Sequence, residues 1–389
     1  MPELDEIDLA RIPYVEGLLA ASQVARTAAS IARMQEPSGA IPWTVGEHVD
    51  IWNHVEASMA LLVGGQVEAA ERAYAWIPTM QRSDGSWPMK IVGGEVEDPR
   101  GEVNMSSYFA VGLWHHWLVR RDSAFVRRYW PSVRAGLDWV CSRQLDFGGL
   151  DWSQKWEDGR PGDGEEGALL AGSSSIYQSL RAGVALADLL EDPQPEWELT
   201  GGRLGHAIRE HRDLFLDKST YSMDWYYPVL GGAVRGRDAY EMLESRWDDF
   251  VVPGLGIRCV DTNPWVTGAE TCELALALDS IGDHRRAWQV VKDMQHLRTE
   301  DGSYWTGWVF GDDVNWPHEH TTYTAAAVIL AVDALGETRG HSSPGSGIMR
   351  GTSLAPHFRE LMLECGCPSA DPSGDSSDDG ISAVATHSS

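Results

Sequence analysis

Two glutamates lie beside tryptophans in polar stretches of this 389-residue chain, and together they could hydrolyse a glycosidic bond. Glu157 directly follows Trp156, and Glu319 lies shortly after Trp316. Such hydrolysis needs two carboxyl groups flanking the scissile bond, one protonated and one ionised. An apolar aromatic neighbour favours the protonated form that a general acid needs, whereas a general base must stay ionised, so these two glutamates are the candidate catalytic pair. Either glutamate could instead be an acidic residue at a helix N-terminus.

Tryptophan is unusually abundant: the chain has 18 tryptophans against 7 phenylalanines and 11 tyrosines. An indole can stack on the C–H face of a sugar ring and donate its N–H to a hydroxyl, although it would also suit a hydrocarbon substrate. Packing of long loops against each other is the structural alternative. The tryptophans predicted to line a binding pocket are Trp43, Trp52, Trp156, Trp265, Trp305, Trp308 and Trp316.

Several other polar residues near the same segments could complete this pocket: Asp50, His54, Asp224, Tyr226 and Glu270. Each of them alone is more often a helix cap or a satisfied polar group of the core. They form a site only if the fold brings their segments to one face.

The periodicity of apolar residues predicts an all-α protein with almost no strands. The predicted helices cover residues 15–35, 51–63, 66–82, 104–121, 123–145, 172–191, 195–216, 234–250, 267–281, 284–298 and 321–335. Short links between them alternate with long loops at 36–50, 83–103, 146–171, 217–233 and 299–320. Because a short link joins two antiparallel helices, the alternation predicts helical hairpins whose long loops all emerge on one face.

A degenerate repeat, Q-x-x-x-G-x-(W/I/L), supports this architecture. It occurs at residues 35–41, 81–87 and 144–150, with a looser copy from Gln295 through Gly302. Each copy ends a helix, where the glycine suits a left-handed cap and the glutamine can bond free carbonyls. Repetition of a helix pair predicts an α/α toroid of about six hairpins over residues 1–340. The Ser/Gly/Asp-rich residues 341–389 are predicted to be a mostly disordered tail.

The repeat resembles that of the squalene cyclase and prenyltransferase toroids. Stretches at residues 50–61, 222–236, 264–278 and 301–328 are also similar to an actinobacterial family labelled "prenyltransferase". This resemblance implies an isoprenoid substrate, but the residues for that chemistry are not visible. The chain has no Asp-x-Asp-Asp motif, and Asp248-Asp249 and Asp312-Asp313 lack the further aspartate of a magnesium–diphosphate motif.

A second resemblance is to the six-hairpin glycosidases of the glucoamylase-like group. It rests on Glu102-Val103-Asn104 followed by residues 120–140 and 148–159. In that group a Trp-Glu pair after this helix carries the general acid, which maps onto Trp156-Glu157. The group's base lies near the last inner helix, where Glu319 is the nearest match, although its flanking residues differ. The resemblance implies an inverting glycoside hydrolase.

Composition excludes several other classes of protein. The net charge of −27 argues against binding to nucleic acid or to an anionic membrane surface. No apolar run is long enough for a membrane span, no secretory signal is recognisable, and the five scattered cysteines do not suggest a disulfide framework. We therefore expect a cytoplasmic protein. No phosphate loop or zinc-ligand spacing indicates a cofactor or a metal, and the oligomeric state is not indicated.

Three functions stay open on the sequence alone. A hydrolase acting on an oligosaccharide or small-molecule substrate is favoured over an isoprenoid cyclase or transferase. The third is a non-catalytic toroid that binds a glycan or a lipid. A separation of about 6.5–9.5 Å between the two carboxyl groups would fit the inverting hydrolase.

Overall fold

The computed structural model describes residues 7–165 and 167–359, and helices dominate it. In chain order the helices are α1 (Ala21–Met34), α2 (Ile51–Val63), α3 (Val67–Trp76), α4 (Val103–Ser107), α5 (Phe109–Arg120), α6 (Ser123–Cys141), α7 (Leu170–Leu190), α8 (Pro195–Glu210), α9 (Ser222–Leu230), α10 (Gly236–Ser245), α11 (Trp247–Phe250), α12 (Gly268–Ser280), α13 (His284–Asp293) and α14 (Thr322–Arg339).

The helices form a closed double ring. The inner ring consists of α2, α4–α5, α7, α9, α12 and α14, each packed against the next, and α14 packs back against α2. Helices α1, α3, α6, α8, α10 and α13 pack outside this ring. The prediction of an all-α toroid of about six hairpins is confirmed.

The two rings differ in which residues they bury. In α2 every residue except Asn53 is buried, as expected of a helix that is covered on all sides. In the outer helix α13 only Ala287, Val290 and Val291 are buried, which form one apolar stripe. Helices that are apolar on all faces thus lie in the inner ring, and helices with one apolar stripe lie in the outer ring.

One inner helix lies where the sequence predicted a loop. Helix α9, inside the expected loop 217–233, has only nine residues and includes Pro228. Both features weaken a helical pattern in the sequence. Packing between α7 and α12 stabilises the helix nevertheless.

The glutamine–glycine repeat joins neighbouring outer helices. In the copy after α3, Gln81 Nε2 donates to the carbonyl of Gly85 and to that of Ser132 in α6, each at 2.9 Å. The same pair of bonds starts from Gln35 and from Gln144. Gly85 has a φ of +98°, and a Cβ there would lie 2.1 Å from the carbonyl oxygen of Ala135. The repeat is therefore a turn that ties one hairpin to the next.

Short strands lie between the helices and beside the first and last of them, contrary to the expectation of almost none. The strands are β1 (Tyr14–Val15), β2 (Pro88–Val92), β3 (Glu95–Glu102), β4 (Ser153–Glu157), β5 (Arg160–Gly164), β6 (Val251–Val252), β7 (Gly256–Arg258), β8 (Trp265–Thr267), β9 (Gly307–Val309), β10 (Val314–Asn315) and β11 (Gly340–His341). They form antiparallel sheets in the orders β2-β3-β4-β5, β10-β9-β8-β7-β6 and β1-β11. Most are too short to show an alternating pattern in the sequence.

The long loops lie together on one face of the toroid. Each of them leads into the N-terminal end of an inner helix. Backbone bonds then connect loops that are distant in sequence, such as the bridge between Val49 and Ile91 and the pairing of Gly101 with Gln154. The first turns of the inner helices therefore surround one mouth of the barrel, which we call the upper end.

Residues 341–359, here called the C-terminal segment, pack against the opposite, lower end of the barrel. Arg181 Nε of α7 donates to the carbonyl of Ala355 at 2.8 Å, and Trp114 Nε1 of α5 donates to that of Ser353 at 2.6 Å. The predicted boundary at 340 therefore lies inside the packed chain. These bonds use backbone carbonyls, which leave no pattern in the sequence. The rest of the predicted tail, residues 360–389, lies outside the described residues.

Candidate active site

Polar side chains form two layers along the barrel axis at the upper end. Residues three apart on a helix share a face, so Asn53 lies above Glu56 on α2 and Glu270 lies above Glu273 on α12. Glu56 and Glu273 are 1% exposed, whereas Asn53 and Glu270 are half-buried. The lower layer is thus a floor, and the upper layer can meet a substrate.

Tyrosines of α9 and α14, and the tyrosine between α4 and α5, donate hydrogen bonds to the carboxyl groups of the floor. Tyr227 and Tyr323 donate their hydroxyls to Glu273 at 2.8 and 2.7 Å, and Tyr226 donates to it as well. Tyr108 donates to Glu56 at 2.9 Å. This network fixes the tyrosine rings that form the floor.

Burial raises the pKa of both carboxyl groups of the floor, so each holds its proton at a higher pH than it would in water. Desolvation, with a contribution from Glu273, raises the pKa of Glu56 to about 8. Desolvation likewise raises the pKa of Glu273 to about 7, against the lowering effect of the tyrosine hydroxyls. Two neighbouring buried carboxyl groups share protons because both cannot ionise cheaply.

A second pair of buried carboxyl groups lies at the first turns of α2 and α4. Asp50 caps α2 by accepting from the backbone of Asn53, and Glu102 caps α4 by accepting from that of Met105. Desolvation raises the pKa of Glu102 to about 8, and the negative charge of Asp50 adds to this shift. Desolvation also raises the pKa of Asp50. The pair can therefore hold a proton at neutral pH.

Several buried polar atoms at the upper end have no hydrogen-bond partner within residues 7–165 and 167–359. Among them are Glu56 Oε2 and Asn104 Oδ1, together with the hydroxyls of Ser173, Ser222 and Thr267. Buried polar atoms are nearly always hydrogen-bonded in folded proteins. These atoms are therefore candidates to receive hydroxyl groups of a substrate.

Aromatic rings from the predicted set connect the axis to the rim. Trp52 stacks on Tyr108 with 4.7 Å between ring centroids, and its ring edge meets Tyr323 at 5.6 Å. Trp43 lies 5.5 Å from Tyr323 on the other side. Of the predicted polar residues, Asp50 and Glu270 lie at this site, and Tyr226 lies in its floor.

Glu319, the predicted general base, lies at the rim. Its Oε1 accepts from Trp43 Nε1 at 2.8 Å and from the Thr306 hydroxyl at 3.3 Å. The side chain borders a cavity that also includes residues of the outer helix α1. The predicted tryptophans 265, 305, 308 and 316 lie in the same group of loops, and Trp316 is 54% exposed.

Glu157, the predicted general acid, does not have the expected apolar surroundings. It ends β4 at the tip of an exposed hairpin and pairs with Arg160 of β5. Trp156 does not cover it either, because that indole lies under the guanidinium of Arg82 at 4.0 Å. Trp156 and Glu157 are consecutive residues of a strand, so their side chains point to opposite faces. The Trp-Glu pair in the sequence therefore does not indicate an apolar environment for the carboxyl group.

Two more predicted residues lie away from the axis. His54 is buried between α2 and α3, where Nδ1 accepts from the Ile41 backbone and Nε2 contacts the carbonyl of Ala73, both at 3.0 Å. Desolvation lowers its pKa to about 4, as for a neutral core histidine. Asp224 accepts from the backbone of Ala171 at 3.2 Å in a different cavity, beside α10.

Sequence reasoning pointed to Glu56 at the start of α2 but missed two other acidic groups at the axis, Glu102 and Glu273. Glu102 caps the first turn of α4, and Glu273 lies in the second turn of α12, whose residues are mostly apolar. A carboxylate at such a position was the available signal, because burying it without a function is costly.

Comparison with known proteins assigns the family. The chain is 52% identical over 364 residues to MMP endo-(1,4)-3-O-methyl-alpha-D-mannosidase of Mycolicibacterium hassiacum, covering 94% of this chain and 99% of that one. The chain belongs to the family of this mannosidase. It is therefore a glycoside hydrolase. No protein-family model matches the sequence.

Solved structures agree in fold. A wild-type glycosidase superposes with a TM-score of 0.62 at 15% identity, covering 88% of this chain and 98% of that chain. An alpha-amylase from Clostridium perfringens has a TM-score of 0.56 at 10% identity, covering 80% of this chain and 97% of that chain. At such identities these likenesses concern the fold alone.

Among the described residues, no helix combines the length and apolar character needed to cross a membrane. Within the same residues, no group of three or more His, Cys, Asp or Glu side chains could hold a metal ion.

Proposed function

We propose that this mannosidase relative cleaves internal α-(1→4) bonds between 3-O-methylated mannose units. The observation that carries the proposal is the 52% identity to an enzyme of that name over nearly its whole length. The indoles and phenols around the axis supply apolar faces for methylated sugars. The first-turn carboxyl groups supply the two roles that glycoside hydrolysis needs.

The general acid in this proposal is the Asp50–Glu102 pair. Its proton would pass to the glycosidic oxygen as the bond to the anomeric carbon breaks. Desolvation supports the role, because it raises the pKa of Glu102 to about 8, near the pH at which an acid must still hold its proton. Trp52, adjacent to the pair along α2, extends the apolar surroundings.

The general base is Glu270, acting on a water that attacks the anomeric carbon with inversion. Glu270 is half-buried in the first turn of α12, above the floor glutamate Glu273. Glu319 is the second candidate, favoured by the donors Trp43 and Thr306, which support a carboxylate. We assign it instead to positioning Trp43, because its cavity extends toward the outer helix α1.

Substrates with different leaving groups test these roles. An aryl glycoside with an acidic phenol leaves without protonation, so Asp50→Asn and Glu102→Gln should lose about 10²–10⁴-fold on the oligosaccharide and far less on the aryl glycoside. Glu270→Gln should lose activity on both substrates. Equal losses for all three variants on both substrates would contradict the acid assignment.

The alternative base is tested in the same assay. Glu319→Gln should keep kcat within about tenfold of the wild type, since the amide oxygen can still accept from Trp43 and only the negative charge is lost. A loss as deep as that of Glu270→Gln would transfer the base role to Glu319. Product analysis by NMR should show the β-anomer first, as inversion of an α-bond requires.

The isoprenoid alternative has no comparable support, because the 52% identical relative is named as a mannosidase. We also propose a cytoplasmic location. Cys141, Cys259 and Cys272 are free thiols, which suits a reducing compartment.

A further inference from the structure

A cavity at the rim of the upper end is left unused by the proposed cleavage site. Its volume is about 620 Å³, within the range of sites for small molecules. The last turn of α1 and the segments 44–47, 301–305 and 318–320 surround it.

The groups lining this rim cavity match the chemistry of a sugar. Trp305 provides an indole, and Thr44 and Ser303 provide hydroxyls. Arg33 and Glu319 add a donor and an acceptor, with Arg33 held by Asp301 at 2.9 Å. A pyranose has both apolar C–H faces and a ring of hydroxyls, so it can use each of these groups.

A continuous row of contacting side chains runs from the rim cavity to the barrel axis. Glu319 accepts from Trp43, whose ring lies 5.5 Å from that of Tyr323. Tyr323 in turn donates to the floor glutamate Glu273 at 2.7 Å. A chain crossing Trp43 would therefore pass from the cleavage site into the rim cavity.

We propose that the rim cavity is a distal subsite that binds a mannose unit of the same substrate chain, beyond the units at the cleaved bond. The inference rests on the proposed endo-cleavage, since an enzyme that cuts internally must hold sugar units at a distance from the cut. Binding there adds affinity for long substrates only. It does not take part in the chemistry at the axis.

Filling the rim cavity tests the subsite. Met34→Trp places an indole into it from the outer helix α1, away from the axial residues. We expect KM for long methylated mannooligosaccharides to rise about tenfold, equal to about 1.4 kcal/mol of binding. KM for the shortest cleaved substrate and kcat for both should stay unchanged. An unchanged KM for long chains, or an equal rise for short ones, would overturn the proposal.

A matched control and a milder variant guard against misfolding. Ser245→Trp introduces the same side chain into the separate cavity beside α10 and should leave both KM values unchanged. Arg33→Met removes one donor from an exposed ion pair and should raise KM for long chains alone, by a smaller factor. If the wild type cleaves no methylated mannan, the proposed function fails. If it cleaves without these length-dependent changes, only the subsite fails.

Discussion

Both ends of the barrel bury carboxyl groups, but the two ends differ in the partners that these groups have. At the lower end, Asp279 near the C-terminus of α12 binds Arg350 and His284, and Asp333 of α14 binds the backbone and hydroxyl of Ser343. At the upper end, within the described residues, Glu56, Glu102 and Glu273 have no arginine or lysine partner.

The helix dipole explains part of this difference. A negative charge is favourable at a helix N-terminus, where Asp50 and Glu102 lie, and unfavourable near a C-terminus, where Asp279 lies. The lower carboxylates therefore need the cation and donors of the C-terminal segment. The upper carboxyl groups Glu56, Glu102 and Glu273 have no such cation, and burial raises their pKa values, so they can hold protons at neutral pH.

The largest effect should follow removal of the C-terminal segment. A chain ending at Gly340 leaves Asp279 and Asp333 buried without their main partners, at a cost of about 3–5 kcal/mol for each uncompensated charge. That approaches the whole stability of a typical domain, so we expect little folded protein by circular dichroism. Removal of residues 366–389 is the matched control and should change the melting temperature little. Equal melting of both truncations would show that the segment does not support the lower end.

Replacement of Arg350 alone should reduce the free energy of unfolding by less than removal of the whole C-terminal segment. Arg350→Met leaves the fully buried Asp279 with only His284, and we expect a loss of about 3–5 kcal/mol in urea unfolding. Arg33→Met is the control, because its partner Asp301 is largely exposed, and it should cost under about 1 kcal/mol. Activity per folded molecule should be unchanged by Arg350→Met. A loss of activity without unfolding would mean that the lower end takes part in function.

The sequence predicted the ring better than the site, for a physical reason. Gln35, Gln81 and Gln144 perform the same task at the same point of each hairpin, so they recur at a readable spacing. Each inner helix contributes a different side chain to the axis, so no spacing links Asp50 to Glu270. The loop strands and the C-terminal segment are held by contacts between distant residues and leave no local pattern.

The protonation of the floor carboxyl groups should make the free energy of unfolding depend on pH. Glu56 has an ordinary pKa of 4.5 and a folded pKa of about 8. The native state therefore binds the extra proton, and its stabilising contribution is lost as the pH rises from 4.5 to about 8. The slope attributable to one such group is up to about 1.4 kcal/mol per pH unit. Glu56→Gln should flatten the stability profile across this window, measured by urea unfolding. An unchanged slope would contradict the protonated floor.

The smallest effect should come from Glu157, the acid that the sequence favoured. Its side chain is exposed at a hairpin tip, and its neighbour Trp156 is occupied by Arg82. An exposed carboxylate that makes no buried contact contributes little to stability or to transition-state binding, so Glu157→Gln should change kcat/KM by less than about twofold. Asp50→Asn, a swap of the same kind at the axis, is the comparison in the same assay. If Glu157→Gln were the variant that lost activity while Asp50→Asn retained it, the hairpin would have to fold over the mouth of the barrel when substrate binds. The upper-end carboxyl groups would then serve only to hold the helices.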